Sequence, residues 1–154
     1  MMKNTFSASE IVAILQGEGY RALYEHDGVD NAHISSGSQG KFWEINIGDT
    51  QNDEQMDDVL ITYLTAVDPV VFPVGKICND YNRSMRFGTA SYNFDDDLDY
   101  EDSTFIRLDM VFSFDGGVSS DWLINQIRIW DVCVQKFIET IHENEEPISD
   151  DESF

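Results

Sequence analysis

The stretch KFWEINIG alternates apolar and polar side chains with a period of two residues. Trp43, Ile45 and Ile47 fall on one side, and Glu44 and Asn46 fall on the other. A β-strand places successive side chains on opposite faces, so this pattern predicts a strand with one buried face.

Two longer apolar stretches predict further strands. VLITYLTAV is apolar nearly throughout and rich in β-branched residues, which predicts a central strand covered on both faces or packed at an interface. TFIRLDMVFSF alternates instead, and its apolar face contains Ile106, Leu108, Met110, Phe112 and Phe114. YRALYE, AHISS and FGTASYNF predict shorter strands, with a turn at Asp27-Gly28 between the first two.

Three segments have the features of helices. The first is predicted at about 9 to 18, with Ser7 or Ser9 as its N-cap and glycines at its end. The second is predicted from about Val71 to Tyr81, after a proline. The third has about twenty residues, because its apolar residues step by four and three to form one stripe: Leu123, Ile127, Trp130, Val134, Phe137 and Ile141.

The order of these elements predicts an α+β fold. It is a helix, three or four strands, a helix, two strands and a helix, which gives a twisted antiparallel sheet of about five strands in the order α-β-β-β-α-β-β-α. The chain has 154 residues, enough for one domain with a real core, which we place at 1–142. The last residues, 143–154, contain six acids and no base, and they predict an acidic disordered tail.

The net charge limits the classes of partner. The chain has 30 acidic and 9 basic residues, a formal net charge of −21, on a composition that is 42% hydrophobic and 12% aromatic. Such a charge repels phosphate backbones and anionic lipid headgroups, so we expect no nucleic acid and no membrane as partners. A basic or apolar protein segment is favoured instead.

The two cysteines, Cys78 and Cys133, are too few and too far apart for a disulfide framework or a cysteine-based metal site. The N-terminal residues contain no apolar stretch typical of a signal sequence, and no apolar run is long enough to span a membrane. We therefore expect a cytoplasmic protein with reduced thiols.

No catalytic residue, cofactor site or metal site is predicted. In DDDLDYED, Asp95, Asp97 and Asp99 have the spacing of a calcium loop, but Tyr100 stands in place of the required glycine and Ile106 in place of the glutamate. A solvated acidic turn is the favoured interpretation, and weak cation binding stays open. The three histidines show no spacing typical of a catalytic triad, so we expect that the protein is not an enzyme.

The stretch CNDYNRSMRFG is the one candidate binding site. It contains Asn79, Tyr81, Asn82, Arg83 and Arg86, and with Lys76 it contributes three of the chain's nine basic residues. The favoured interpretation is a structural corner in which the two asparagines cap the end of the second helix. The alternative is a pocket for an acidic ligand, anchored by the arginines.

Four segments carry a resemblance to a known family: FWEINIGD, VLITYLTAVD, GKICNDYNRS with its Asn-x-x-Asn spacing, and FDGGVSSDWLINQI. Over roughly residues 9 to 142 the sequence resembles the YbjN family, described as "putative bacterial sensory transduction regulators", whose fold is like that of type III secretion chaperones. The acidic loop at 95 to 102 and the acidic tail depart from that pattern.

Two functions follow from these observations. In the first, the protein is a non-catalytic, chaperone-like regulatory module, a homodimer that binds an extended segment of a protein partner or client, as the resemblance implies. In the second, it is a small ligand-binding sensor or enzyme with a pocket near the corner between the second helix and the next strand.

Overall fold

The computed structural model of the chain describes residues 2–26, 32–38, 40–48, 54–93 and 104–146. The helices and strands of this described part are α1 (Ala8–Gly17), β1 (Leu23–His26), β2 (Ala32–Ser38), β3 (Lys41–Gly48), β4 (Asp58–Val67), α2 (Val74–Ser84), β5 (Thr89–Asn93), β6 (Thr104–Ser113) and α3 (Ser120–Glu143).

The predicted α+β fold is confirmed, with six strands in place of about five. Four strands precede α2, within the predicted three or four. β1 lies at the predicted short strand YRALYE, has only four residues, and pairs with β2 from Leu23↔Ser35 to His26↔Ala32.

The strands form a sheet in the order β1-β2-β3-β4-β6-β5, so β1 and β5 are its edges. The pairs β1–β2, β2–β3 and β3–β4 are antiparallel. The β2–β3 hairpin closes at Ser38↔Lys41, and Gly40 in its turn has a positive φ of 77°, which glycine adopts without steric cost.

The buried face of the sheet follows the predicted alternation. Trp43, Ile45 and Ile47 are buried on β3. On β4 the burial alternates as well, and Leu64 is 54% exposed. Of the two predicted alternatives for this strand, cover on both faces does not hold within the chain, because an alternating strand directs only every second side chain to the core. Packing of its other face at an interface stays a prediction.

The chain forms two compact units. Unit 1 contains Met1–Tyr63 and Asp109–Val132, and unit 2 contains Leu64–Leu108 and Cys133–Phe154. In unit 1, the rings of Phe6 and Phe114 pack edge to face at 4.7 Å. Unit 1 also contains α1, whose N-cap is Ser7 and not Ser9: Glu10 N donates to Ser7 Oγ, and Ser7 N donates to Glu10 Oε1.

In unit 2, helix α2 begins and ends three residues later than the predicted bounds of 71 and 81. Residues 69–72 form a turn, because Asp68 accepts hydrogen bonds from the amides of Val70, Val71 and Phe72. Pro73 is the N-cap residue of the helix. At the other end the Ser84 hydroxyl donates to the carbonyl of Asp80, which extends the last turn.

The apolar stripe of α3 is buried along its whole length, as predicted. Ser119 caps the helix by accepting a hydrogen bond from Trp122 N, and the helix has 24 residues. The described chain continues to Glu146, whose amide donates to the carbonyl of Val71 at 2.7 Å. The rest of the predicted acidic tail lies outside the described residues.

Candidate functional site

The predicted corner lies in unit 2, and Tyr81 is its most buried member. The Tyr81 side chain is inaccessible to solvent, its ring packs edge to face on Phe137 at 5.4 Å, and its hydroxyl donates to the carbonyl of Phe87 at 2.8 Å. Tyr81 therefore holds the chain between α2 and β5.

Asn82 bonds to β5 with both groups of its side-chain amide. Its Nδ2 donates to the carbonyl of Ala90 at 3.0 Å, and its Oδ1 accepts from the amide of Ala90 at 2.8 Å. The side chain therefore pairs with the backbone as a neighbouring strand would.

The predicted cap at this corner is wrong in detail. Because α2 continues to Ser84, Asn79 and Asn82 lie within the helix, and the Ser84 hydroxyl reaches its last carbonyls. Asn79, Arg83 and Arg86 are exposed.

Lys76, which begins this basic stretch, bonds within unit 2. Its Nζ donates to Asp80 Oδ2 at 2.9 Å and to Asn144 Oδ1 at 2.5 Å. The hydrogen bond from Lys76 lowers the pKa of the Asp80 carboxyl.

We expect the stability of the protein to fall as the pH rises above about 9. Cys78 is buried, and burial raises its pKa from the ordinary value of 9.0 to about 11, while burial also raises the pKa of Cys133 and Tyr81. When folding raises the pKa of a group, the unfolded state loses the proton at a lower pH than the folded state does. The contribution of that group to the free energy of unfolding is therefore complete below the unfolded pKa and is lost as the pH rises through the folded pKa.

Urea denaturation at pH 8, 9 and 10 measures this effect. The Cys78→Ala variant should lose less stability over that interval than the wild type does. A wild-type stability that stays constant or rises up to pH 10 would contradict the prediction.

A groove in unit 1 has a volume of about 980 Å³. One wall is the connection from α1 to β1, from Gln16 to Leu23, and the other is the β2–β3 hairpin, from Ser35 to Phe42. None of the five corner residues lines it. The strands explain its position: β1 pairs with β2 only as far as Leu23↔Ser35, whereas β2 continues to Ser38.

The backbone edge of Ser36–Ser38 is open in this groove. Within the described ranges, no strand pairs with these residues on the side away from β3. An unpaired strand edge is a template for another extended chain. Two exposed apolar side chains line the same groove, Leu23 of β1 at 60% exposure and Phe42 of β3 at 82% exposure.

The walls of the groove are joined to α3 by one carboxylate. Asp131 accepts a hydrogen bond from the Tyr20 hydroxyl at 2.5 Å and another from the Ser38 hydroxyl at 2.7 Å. Burial, followed by the bond to Asp131, raises the pKa of Tyr20, so its phenol stays protonated and donates. Tyr20 in one wall and Ser38 in the other are therefore both fixed to Asp131 of α3.

Two buried polar atoms adjoin the groove. Ser36 lines it and is 5% exposed, and its register partner is Trp43. Neither Ser36 Oγ nor Trp43 Nε1 has a hydrogen-bond partner in the described part of the chain. Both atoms have almost no solvent-accessible area, and only Ser36 belongs to the groove lining.

The described part of the chain contains no cluster of three His, Cys, Asp or Glu side chains suited to a metal ion. The acidic loop with Asp95, Asp97 and Asp99 lies outside the described residues. None of the described helices has the length and apolar character needed to cross a bilayer.

Comparison with known proteins identifies the family. The sequence matches the YbjN family, described as "putative bacterial sensory transduction regulator", over residues 7–143. No curated protein sequence matches the chain significantly.

Two crystal structures share the fold. One, an uncharacterized protein from Methanothermobacter thermautotrophicus, has a TM-score of 0.63 and 17% identity over 90% of this chain and 98% of that one. The other, YbjN from E. coli, described as "a putative transcription regulator", has a TM-score of 0.59 and 14% identity over 90% of this chain and 95% of that one.

Proposed function

The chain belongs to the YbjN family, and we propose that it is a non-catalytic regulatory module that binds an extended segment of a protein partner. The observation that carries this proposal is the open backbone edge of Ser36–Ser38 in the groove of unit 1. A peptide can add there as a further strand, so that main-chain hydrogen bonds provide affinity and alternate side chains provide specificity.

The exposed apolar side chains support the same function. Leu23 and Phe42 line the groove, and every second side chain of an added strand would lie on the face of the sheet that carries them. Large aromatic side chains commonly dominate the binding energy of protein interfaces. Phe42 is therefore the side chain that we expect to contribute most.

A regulatory role without direct DNA contact agrees with the charge. The E. coli protein of the same fold is described as "a putative transcription regulator". With 30 acidic and 9 basic residues, however, this chain repels a phosphate backbone. We infer that it regulates through a protein and not by binding DNA.

The second candidate is a small-ligand sensor. The groove volume of about 980 Å³ lies at the upper end of the range for small-molecule sites, about 300–1,000 Å³. The sequence places such a pocket at the corner of Arg83 and Arg86, whereas this groove lies in unit 1.

Peptide binding by the full-length chain tests the proposal. Extended peptides of about eight residues, apolar at alternate positions, should bind, and N-methylation of alternate amides should abolish binding because it removes the main-chain donors. Phe42→Ala should weaken binding about tenfold, which corresponds to about 1.4 kcal/mol. Val70→Ala, at a similarly exposed position in unit 2, is the matched control and should have no effect.

Retention of small anions with no binding of any peptide would contradict the proposal and favour the sensor. Equal losses in Phe42→Ala and Val70→Ala would show that the peptide does not bind in the groove.

We also propose that the chain is a homodimer. In unit 2, β4 leaves Leu64 exposed. A self-complementary apolar surface closes most simply as a twofold dimer, and a stable one buries more than about 1,000 Å² in total. Light scattering at micromolar concentration should give twice the chain mass of 17.6 kDa. A monomer at every concentration would refute this prediction.

A further inference from the structure

We infer that the segment bound in the groove of unit 1 is acidic as well as apolar. This inference rests on the proposed function, because it specifies the chemistry of the partner at the same groove. It differs from the expectation that the net charge alone gives, which is a basic or apolar partner.

The charges that line the groove carry the inference. Arg21, Lys41 and Arg128 all line it, and they are three of only nine basic residues in the chain. Arg21 and Lys41 are exposed, and neither forms an ion pair with another described residue. Two cations are therefore available to an incoming ligand.

The acids at the groove already have partners. Glu18 is the one acidic residue in the described lining, and its Oε2 lies 3.1 Å from Arg128 Nη2. Asp131, behind the lining, accepts the hydrogen bonds from Tyr20 and Ser38. Glu25 accepts hydrogen bonds from His33 and Ser35. Within the described lining, Arg21, Lys41 and Arg128 outnumber Glu18, so the lining itself has a positive excess. Asp131 and Glu25 lie outside that lining, and hydrogen bonds from neutral hydroxyls leave their negative charge in place.

Distance explains why the local charge outweighs the net charge here. At physiological ionic strength, charges further apart than about 8 Å are largely screened. The acidic excess of the chain therefore influences the long-range approach of a partner, while Arg21 and Lys41 act on the bound segment at contact distance. The net charge of the chain consequently favours a basic partner, whereas the groove favours an acidic one. An experiment can therefore distinguish the two effects.

The geometry of strand addition is compatible with such a segment. Successive side chains of an added strand point to opposite faces, so apolar residues can face Leu23 and Phe42 while carboxylates alternate with them. The open edge supplies backbone groups for the main chain of the segment.

Fluorescence anisotropy with three labelled peptides tests the inference. The peptides share one alternating leucine pattern and carry Glu, Gln or Lys at the intervening positions. The full-length wild type should bind the Glu peptide at least tenfold more tightly than the Lys peptide at low salt. Added salt should reduce this difference, because the attraction is between solvent-exposed charges.

A double charge reversal, Arg21→Glu with Lys41→Glu, should invert the order of the Glu and Lys peptides. The reversal Arg83→Glu with Arg86→Glu changes the net charge equally, at exposed positions of the competing corner site, and should leave the order unchanged. Thermal unfolding of both variants verifies that they are folded.

The outcomes separate the two proposals. If no peptide binds, the proposed function fails. If peptides bind but the wild type binds the Lys peptide as tightly as the Glu peptide or more tightly, strand addition stands and the acidic partner is wrong. The same conclusion follows if charge reversal at Arg21 and Lys41 leaves the order of the two affinities unchanged. Inversion of the order by reversal at Arg83 and Arg86 would place the charge recognition at the corner, which overturns this inference.

Discussion

Replacement of Trp130 by alanine is expected to lower the free energy of unfolding by about 3–5 kcal/mol. Trp130 lies at the centre of the apolar stripe of α3, and its side chain is inaccessible to solvent. The substitution removes the apolar contacts of a large aromatic side chain and leaves a cavity that its neighbours fill only in part. Both effects destabilise the folded state and leave the unfolded state nearly unchanged.

Two control variants separate volume from polarity at this position. Trp130 Nε1 is buried without a hydrogen-bond partner in the described ranges, so Trp130→Phe removes an unsatisfied donor and should cost clearly less than alanine does. Val132→Ala, on the same helix at 60% exposure, should change the stability by less than about 0.5 kcal/mol. Urea denaturation measures all three.

A loss below about 1 kcal/mol in Trp130→Ala would contradict the assignment of Trp130 to the core. A loss in Trp130→Phe as large as in Trp130→Ala would mean that the indole N–H has a partner in solution.

The elements that the sequence predicts well are those with a regular apolar period. The strand KFWEINIG has the predicted bounds of β3, and every residue of the predicted α3 stripe is buried. The spacing of the apolar residues alone indicates which face is buried, because an element with one buried face has its apolar residues at the period of that face. It does not indicate whether the other face is covered, so it cannot decide between the two alternatives predicted for β4.

The bounds of α2 depend on hydrogen bonds that no local pattern specifies. Pro69 and Pro73 are both compatible with a helix start. The Asp68 carboxylate and carbonyl decide between them, because they accept the amides of residues 70–72 in a turn. The pairing of Asn82 with Ala90 is equally hidden in the sequence, since it depends on where β5 lies.

The groove could not be predicted for a related reason. Its open edge exists because β1 is shorter than β2, and Arg21, Lys41 and Arg128 come together only when the chain folds. The local sequence SSGSQGK has the composition of an ordinary polar turn. Only the lengths of β1 and β2 could have indicated the open edge, and the predicted bounds of these strands are too coarse to show the difference in length.

Replacement of Gly37 by alanine should destabilise the protein by about 1–3 kcal/mol, the usual cost of overpacking. Gly37 lies on the open edge of β2, opposite Phe42. A Cβ atom there would overlap the carbonyl oxygen of Lys41, and it would lie 3.1 Å from the Lys41 carbonyl carbon and 3.2 Å from Phe42 Cα. These are backbone atoms, so relief requires the two strands of the hairpin to move apart.

Gly17→Ala is the matched control, because a Cβ atom at Gly17 meets no described atom within 4 Å and the residue ends α1. Alanine is favoured over glycine in a helix by up to about 1 kcal/mol, so this variant should be neutral or slightly more stable. Urea denaturation of the two variants should therefore give changes of opposite sign or of clearly different size. Equal small changes would mean that the hairpin tolerates a side chain at its open edge. Because Gly37 and Phe42 both line the groove, a folded Gly37→Ala variant should also bind the extended peptide more weakly than Gly17→Ala does.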